Sequence, residues 1–489
     1  MFYRAFVFIA LLPRTGICLP PLSSRSYSIP LHASSILRPR ETETIIFQGW
    51  TKQPDGRGSI DILWSCLFTI FLCSWAVLCV NVPAEADNWG KLVWRKFCLA
   101  GLGICGPEFT LQSALGQWMS ARTSVKDFQA SGFHGWTMTH AFFADMGGFV
   151  LHTPDWVPFP INAKQLHHLV QRGYVPLPRI TKKEIKDRNK IDEFLRVITI
   201  LQTLWFVTNC LGRVAQGLTV TTFELTTVGF IFCTLGTYAC WAHKPADVEV
   251  PVIIYCKSPM RRILLEAGDI ASHPYSQTPL DFVSRQEWSW SLWWNLTLNI
   301  AQKLGIRFRP KVRPITRMPN DNWPYIPPAG VFVLGSVDMA YAGIYVAGWN
   351  FVFATDIERL LWRLSTTSIL GVVVAYLFIE SYTFWLLPAL PPSLRRHFVH
   401  DRATDTLVKA DGRRRRSRLR KILDWMRNSS PIKDPKLYLP LKASIPITLA
   451  GIIYIVARSY IVLECFLALR KLPTDAYETV NWSGLWPHV

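Results

Sequence analysis

Glu224 stands between Thr221 and Thr227 in the run TVTTFELTT, and Arg213 closes the preceding apolar run, with Gln202 and Asn209 upstream of it. An ionisable group at the centre of a bilayer costs several kcal/mol, so each one needs a partner or a task. Gln202, Asn209, Arg213 and Gln216 fall within an arc of roughly 60° on a helix of 3.6 residues per turn, and Trp205, Phe206 and Val207 cover the flanks. That polar face should look inward, towards the next helix. A carboxyl opposite a guanidinium and two amides is equipped to exchange a proton with a substrate and to hold a polar group in place. A buried Arg213–Glu224 ion pair that serves folding alone is the other reading of the same residues.

Glu108 follows Pro107, whose missing N–H leaves a carbonyl unpaired and makes a polar pocket; a helix cap explains the same pair. Asp145 precedes MGG and has His140 five residues upstream. This is either an acid/base pair or a turn in which Gly147 and Gly148 allow close backbone approach. Asp338, Glu380, Arg458 and Glu464 lie in the last three apolar runs, with Tyr341 and Tyr345 following Asp338, and read as helix–helix hydrogen bonds. No GxSxG, HExxH, Walker A or GxGxxG motif accompanies them. The eleven cysteines form no CxxC pair, and most fall inside apolar runs. The residues call for no metal and no cofactor.

These side chains must be positioned by a membrane fold. Half of the 489 residues are hydrophobic, only 18% are charged, and the net charge is +19, which points to lipid surfaces as partners and not to nucleic acid. A span needs about 20 apolar residues. Runs at 59–82, 92–118, 194–211, 219–242, 331–354, 366–390 and 444–469 approach or meet that length. The expected fold is therefore an all-α transmembrane bundle of seven spans, or eight if the shorter piece 138–152 crosses; a re-entrant or interfacial element is favoured there. Its parts are an N-terminal targeting or flexible segment (1–58), a membrane domain (59–390) with large loops at 120–192 and 243–330, a basic loop (391–442), and a last span with its tail (443–489).

Lys and Arg gather in those three loops, ten, eleven and fifteen of them, which assigns the loops to the cytoplasm and the segment 83–90 and the tail to the other side. Seven spans then leave the mature N-terminus in the cytosol. The opening MFYRAFVFIALLPRTGICLP disagrees, since it has the composition of a cleavable signal, and the stretch to Arg40 also suits a mitochondrial presequence. Of the sequons at Asn295, Asn428 and Asn481, this topology exposes only Asn481 to glycosylation. An endomembrane such as the endoplasmic reticulum is the expected location.

The blocks PEFTLQSALGQW (107–118), WTMTHAFFADMGGFVL (136–151), IKDRNKIDEFLRVITILQTLWFVTN (185–209), GLTVTTFEL (217–225) and WAHKPADVEVP (241–251) resemble a large family of mostly uncharacterised polytopic fungal membrane proteins. Some of these are encoded beside specialised-metabolite genes. The resemblance implies a role in such metabolism without fixing a reaction. Two functions are then expected. One is an intramembrane enzyme that works on a lipid-soluble isoprenoid or polyketide intermediate, with Glu224 or Glu108 as acid, Gln202, Asn209, Arg213 and Asp145 around the substrate, and aromatic rings stabilising a cationic intermediate. The alternative is a transporter or non-catalytic component whose polar face lines a solute path.

Overall fold

The computed structural model describes residues 46–482 apart from 53–56, 189–192, 273–274, 276, 285–292, 299–311, 321–323, 325 and 383–440. The basic run 411–421 and the sequon at Asn428 lie outside the described residues. The chain is mostly helical, with short strands. In order it forms β1 (Phe47–Gln48), α1 (Ser59–Trp75), α2 (Trp89–Cys105), α3 (Pro107–Ala130), α4 (Met138–Asp145), β2 (Phe149–Thr153), β3 (Trp156–Ile161) and α5 (Ala163–Gln171). There follow α6 (Lys182–Asp187), α7 (Glu193–Ala215), α8 (Thr222–Cys240), β4 (Val252–Tyr255), α9 (Met260–Ala267), α10 (Pro328–Ala347), α11 (Asp356–Ser381), α12 (Leu441–Leu467) and β5 (Leu472–Pro473).

Among the described residues, five helices are long and apolar enough to cross a membrane: Arg196–Ala215, Thr222–Cys240, Ala329–Asn350, Asp356–Ser381 and Ser444–Arg470. α1 is apolar but shorter. Seven spans are thus not shown among the described residues. The run 92–118 is broken at Gly106, which is extended (φ −160°, ψ 96°), and Pro107 starts a new helix because it cannot continue the old one. A Cβ on residue 106 would stand 2.7 Å from the Phe109 ring, so the break requires glycine.

α8 is the hub, packing against α1, α3, α7, α10 and α12. Its start is written locally: Thr221 caps the helix, Glu224 returns the capping box, and Gly217 turns the α7–α8 connection at φ +74°. Small residues set its contacts. A side chain at Gly229 would meet the hydroxyl of Tyr345 at 3.1 Å, and one at Gly236 would meet Leu111 at 2.8 Å.

The all-α expectation also needs correction. β2 and β3 form an antiparallel hairpin, and β4 pairs with β2 in parallel, Phe149 opposite Val252 and Leu151 opposite Ile254. One strand pair comes from the loop 120–192 and one strand from the loop 243–330, so the two basic loops build a single sheet. The 138–152 piece belongs to this unit as α4 and β2. Gly147 is left-handed (φ +87°) and Gly148 admits no side chain, since a Cβ would lie 2.5 Å from the Phe143 carbonyl.

Two further contacts revise the expected sidedness. Asp87, in the segment expected opposite the basic loops, is paired with Arg317 of the second basic loop at 2.7 Å and with Arg95 at 3.1 Å. Asn81 donates to the Pro319 carbonyl. That segment therefore sits with the loops. At the other end of the bundle, β1 pairs with β5, Phe47 opposite Pro473, and the Ser59 and Tyr477 hydroxyls meet at 3.2 Å. The N-terminal strand thus lies beside the tail and not with the loops.

Candidate functional site

Three helices bring polar residues to the bundle centre, each set at the spacing that keeps it on one helix face. α3 presents Glu108 and Gln112, α10 presents Asp338, Tyr341 and Tyr345, and α12 presents Tyr454 and Arg458. Glu108, Asp338, Tyr341, Tyr345 and Arg458 are all buried. Tyr454 donates its hydroxyl to Glu108, and Gln112 donates to Asp338 at 3.0 Å. Arg458 donates through Nη1 to Tyr345, and through Nε at 3.3 Å to the carbonyl of Cys105. The break ahead of Pro107 does free a carbonyl, and a guanidinium from another helix takes it.

The aromatic rings here already hold a cation. The Arg458 guanidinium lies 5.3 Å from the Tyr345 ring centre, 5.5 Å from Phe230 and 6.0 Å from Tyr341, within cation–π range. Glu108 Oε2, Asp338 Oδ1 and Arg458 Nη2 are buried without a hydrogen-bond partner among the described residues. A crevice lined by Pro107, Thr110, Phe230 and Cys233, among others, adjoins them.

The other expected site residues are placed elsewhere. Both oxygens of Glu224 are occupied: Oε1 pairs with Arg57, and Oε2 accepts from the Thr221 amide and hydroxyl at 2.9 and 3.0 Å. Its salt bridge is to Arg57 and not to Arg213. Arg213, buried at 1% exposure, gives its donors to backbone carbonyls, those of Thr219, Asp475, Ala476 and Glu478 at 2.7–3.1 Å. It clamps the tail. The buried stripe of α7 runs through Thr199, Thr203, Phe206, Cys210 and Arg213, leaving Gln202 and Asn209 half-buried at its margin. Asn481 is exposed, and its backbone exchanges two hydrogen bonds with Gln216.

Asp145 ties helices together in the sheet-bearing unit, accepting from Ser120 and from the first amide of α5, both at 3.0 Å. Burial pushes its carboxyl up, against those two bonds. It does not pair with His140, whose Nδ1 meets Thr137 at 2.8 Å and whose Nε2 meets the Ile180 carbonyl at 2.9 Å. Nearby, Lys244 is buried, donates to Gln117 at 2.9 Å and lies over the Trp241 ring; burial draws its ammonium down to about 8.

The sequence pointed to Glu108 and left Arg458, Asp338 and the tyrosines as ordinary helix contacts. The signal that finds them is the 3- and 4-residue spacing of ionisable and phenolic groups on α10 and α12. No curated protein and no solved structure matches the chain. Residues 31–265 are similar to a family of unknown function (DUF8562), a stretch that carries Glu108 and the hub helix and stops short of α10 and α12.

Proposed function

We propose that this chain is a multi-pass membrane enzyme of fungal specialised metabolism, acting by acid/base chemistry on a lipid-soluble isoprenoid or polyketide intermediate. The supporting observation is the buried Glu108–Tyr454–Arg458–Tyr345 cluster at the bundle centre, with polar atoms left over on Glu108 and Arg458 and on the neighbouring Asp338. An ionisable group at such depth whose polar atoms are not all paired is a functional-site candidate by default. In this reading Glu108 exchanges a proton with the substrate, and Arg458 holds charge that develops on a substrate oxygen. The π-faces serve Arg458, so stabilisation of a substrate cation is not their role.

The topology that suits this reading has six crossings: α1, α7, α8, α10, α11 and α12. An even number agrees with the pairing of β1 and β5 at one end. α2 and α3 then form a re-entrant hairpin that starts and finishes on the sheet side, with Gly106 at its tip beside Arg458. The basic loops make the sheet side cytoplasmic and put Asn481 in the lumen of an endomembrane.

The test is metabolite extraction from a strain lacking the protein. An accumulated precursor is expected, restored to product by the natural chain and not by Glu108→Gln. A normal intermediate profile with a shifted cell-to-medium ratio of finished product would replace the enzyme by a transporter.

A further inference from the structure

We infer that the Glu108–Asp338–Arg458 cluster recognises a neutral oxygenated molecule, one that presents a carbonyl and a hydroxyl together, in preference to a diphosphate or a hydrocarbon. The inference rests on the cluster being the substrate site and names the class of substrate it takes.

The argument is an inventory of what is unfilled. Arg458 Nη2 offers an N–H, while Glu108 Oε2 and Asp338 Oδ1 offer acceptor oxygens. All three residues are at most 5% exposed, so bulk water does not satisfy them. A hydrocarbon fills none of these groups. A ligand carbonyl takes the Arg458 N–H, and a ligand hydroxyl donates to a carboxyl oxygen. Such a pair of groups on one ring or chain matches both needs at once.

Charge excludes the obvious competitor. A diphosphate carries two or more negative charges and needs several cations or a metal. Arg458 is the cation whose guanidinium lies over the rings of Tyr345 and Tyr341, and the cluster also holds the carboxyl groups of Glu108 and Asp338. A cationic ligand fares no better, because the guanidinium already occupies the rings of Tyr345, Tyr341 and Phe230. Phe230 also forms a wall of the adjoining crevice with Thr110, whose hydroxyl is likewise unpartnered.

The experiment uses the purified full chain in nanodiscs and three photoreactive probes that share one isoprenoid diazirine tail. The heads are an ortho-hydroxyaryl ketone, a methyl group and a diphosphate. Saturable labelling by the hydroxy-ketone is expected, mapping to peptides of α3 or α12, at least about tenfold above either other probe, and reduced by about tenfold in Glu108→Gln or Arg458→Met, as loss of one charged hydrogen bond implies. Arg213→Met, which alters the tail clamp, should label as the natural chain does. Should Arg458→Met fail to fold, Glu108→Gln, of the same size, carries the test alone. Equal labelling by the methyl probe, or stronger labelling by the diphosphate, overturns the inference. Hydroxy-ketone binding without any turnover in cells leaves the recognition standing and removes the enzyme; turnover with diphosphate-selective binding does the reverse.

Discussion

Arg458 engages Tyr345 twice, with its guanidinium 5.3 Å above the ring centre and its Nη1 donating to the hydroxyl of the same side chain. Tyr345 in turn meets Tyr341 at 3.0 Å. One residue of α12 is thus fixed by two of α10 and by the carbonyl at the end of α2. Arg458→Lys keeps the charge but cannot reach the Cys105 carbonyl and the Tyr345 hydroxyl together. It should lower stability by at least about 2 kcal/mol, the worth of a charged hydrogen bond, read as a fall in the thermal midpoint of the detergent-solubilised protein. An unchanged midpoint would mean that the fork geometry contributes nothing.

Glu224 and Glu108 should separate cleanly. Glu224→Gln keeps the capping box but loses the ion pair to the partly exposed Arg57, so the protein should be less stable by on the order of 1–3 kcal/mol with its turnover per folded molecule intact. Glu108→Gln should show the opposite pattern. Loss of turnover in a well-folded Glu224→Gln protein would return Glu224 to the site.

The Arg213 clamp makes a claim about the tail. With Arg213→Met, the carbonyls of Asp475, Ala476 and Glu478 lose their donor, while the Asp475–Thr219 and Gln216–Asn481 bonds and the Trp205–Trp482 ring contact stay in place. Limited proteolysis should cut after Lys471 several-fold faster in the variant than in the natural chain, and equal rates would refute the clamp.

Lys244 gives a pH signature. The unfolded chain keeps its proton up to the ordinary lysine value of 10.5, whereas the folded one releases it near 8 because of burial, in part offset by Cys79 and Asp145. Between those values the unfolded state holds more protons, so stability rises with pH across that window. Denaturation of the natural chain against Lys244→Met, compared at several pH values from about 7.5 to 10, should show a rising contribution that the variant lacks. A contribution that falls with pH would contradict the burial of the charge.

The proposed topology of six crossings places both ends on one side of the membrane. Epitope tags inserted near Trp50 and after Trp482 should be protected or exposed as a pair in sealed vesicles, and opposite to a tag in the loop that holds Lys257. Opposite behaviour of the two end tags would restore an odd number of spans.

Hydropathy was enough to find α7, α8, α10, α11 and α12, because each holds a long apolar run and lipid leaves the backbone no other hydrogen-bonding solution, although α11 starts at Asp356, inside the stretch expected to be a loop ahead of 366–390. It failed at α2 and α3, where Gly106 and Pro107 break an apolar stretch whose average looks continuous. It also missed the sheet, since Phe149–Thr153 and Val252–Tyr255 pair across nearly a hundred intervening residues, and no local pattern encodes a partner so distant. The same limit applied to the site. Glu108 was visible beside its proline, but the reach of Arg458 to the carbonyl of Cys105 is a matter of helix packing. Arg213 and Glu224 were paired on the strength of a short turn, while Arg57 and the tail, remote in sequence, supplied the actual partners.

The two-residue pairing of β1 with β5 has a consequence for biogenesis. Phe47 is synthesised long before Leu472 and Pro473, the strand it pairs with. A chain that stops before Leu472 therefore leaves β1 unmatched and takes from Arg213 the carbonyls of Asp475, Ala476 and Glu478.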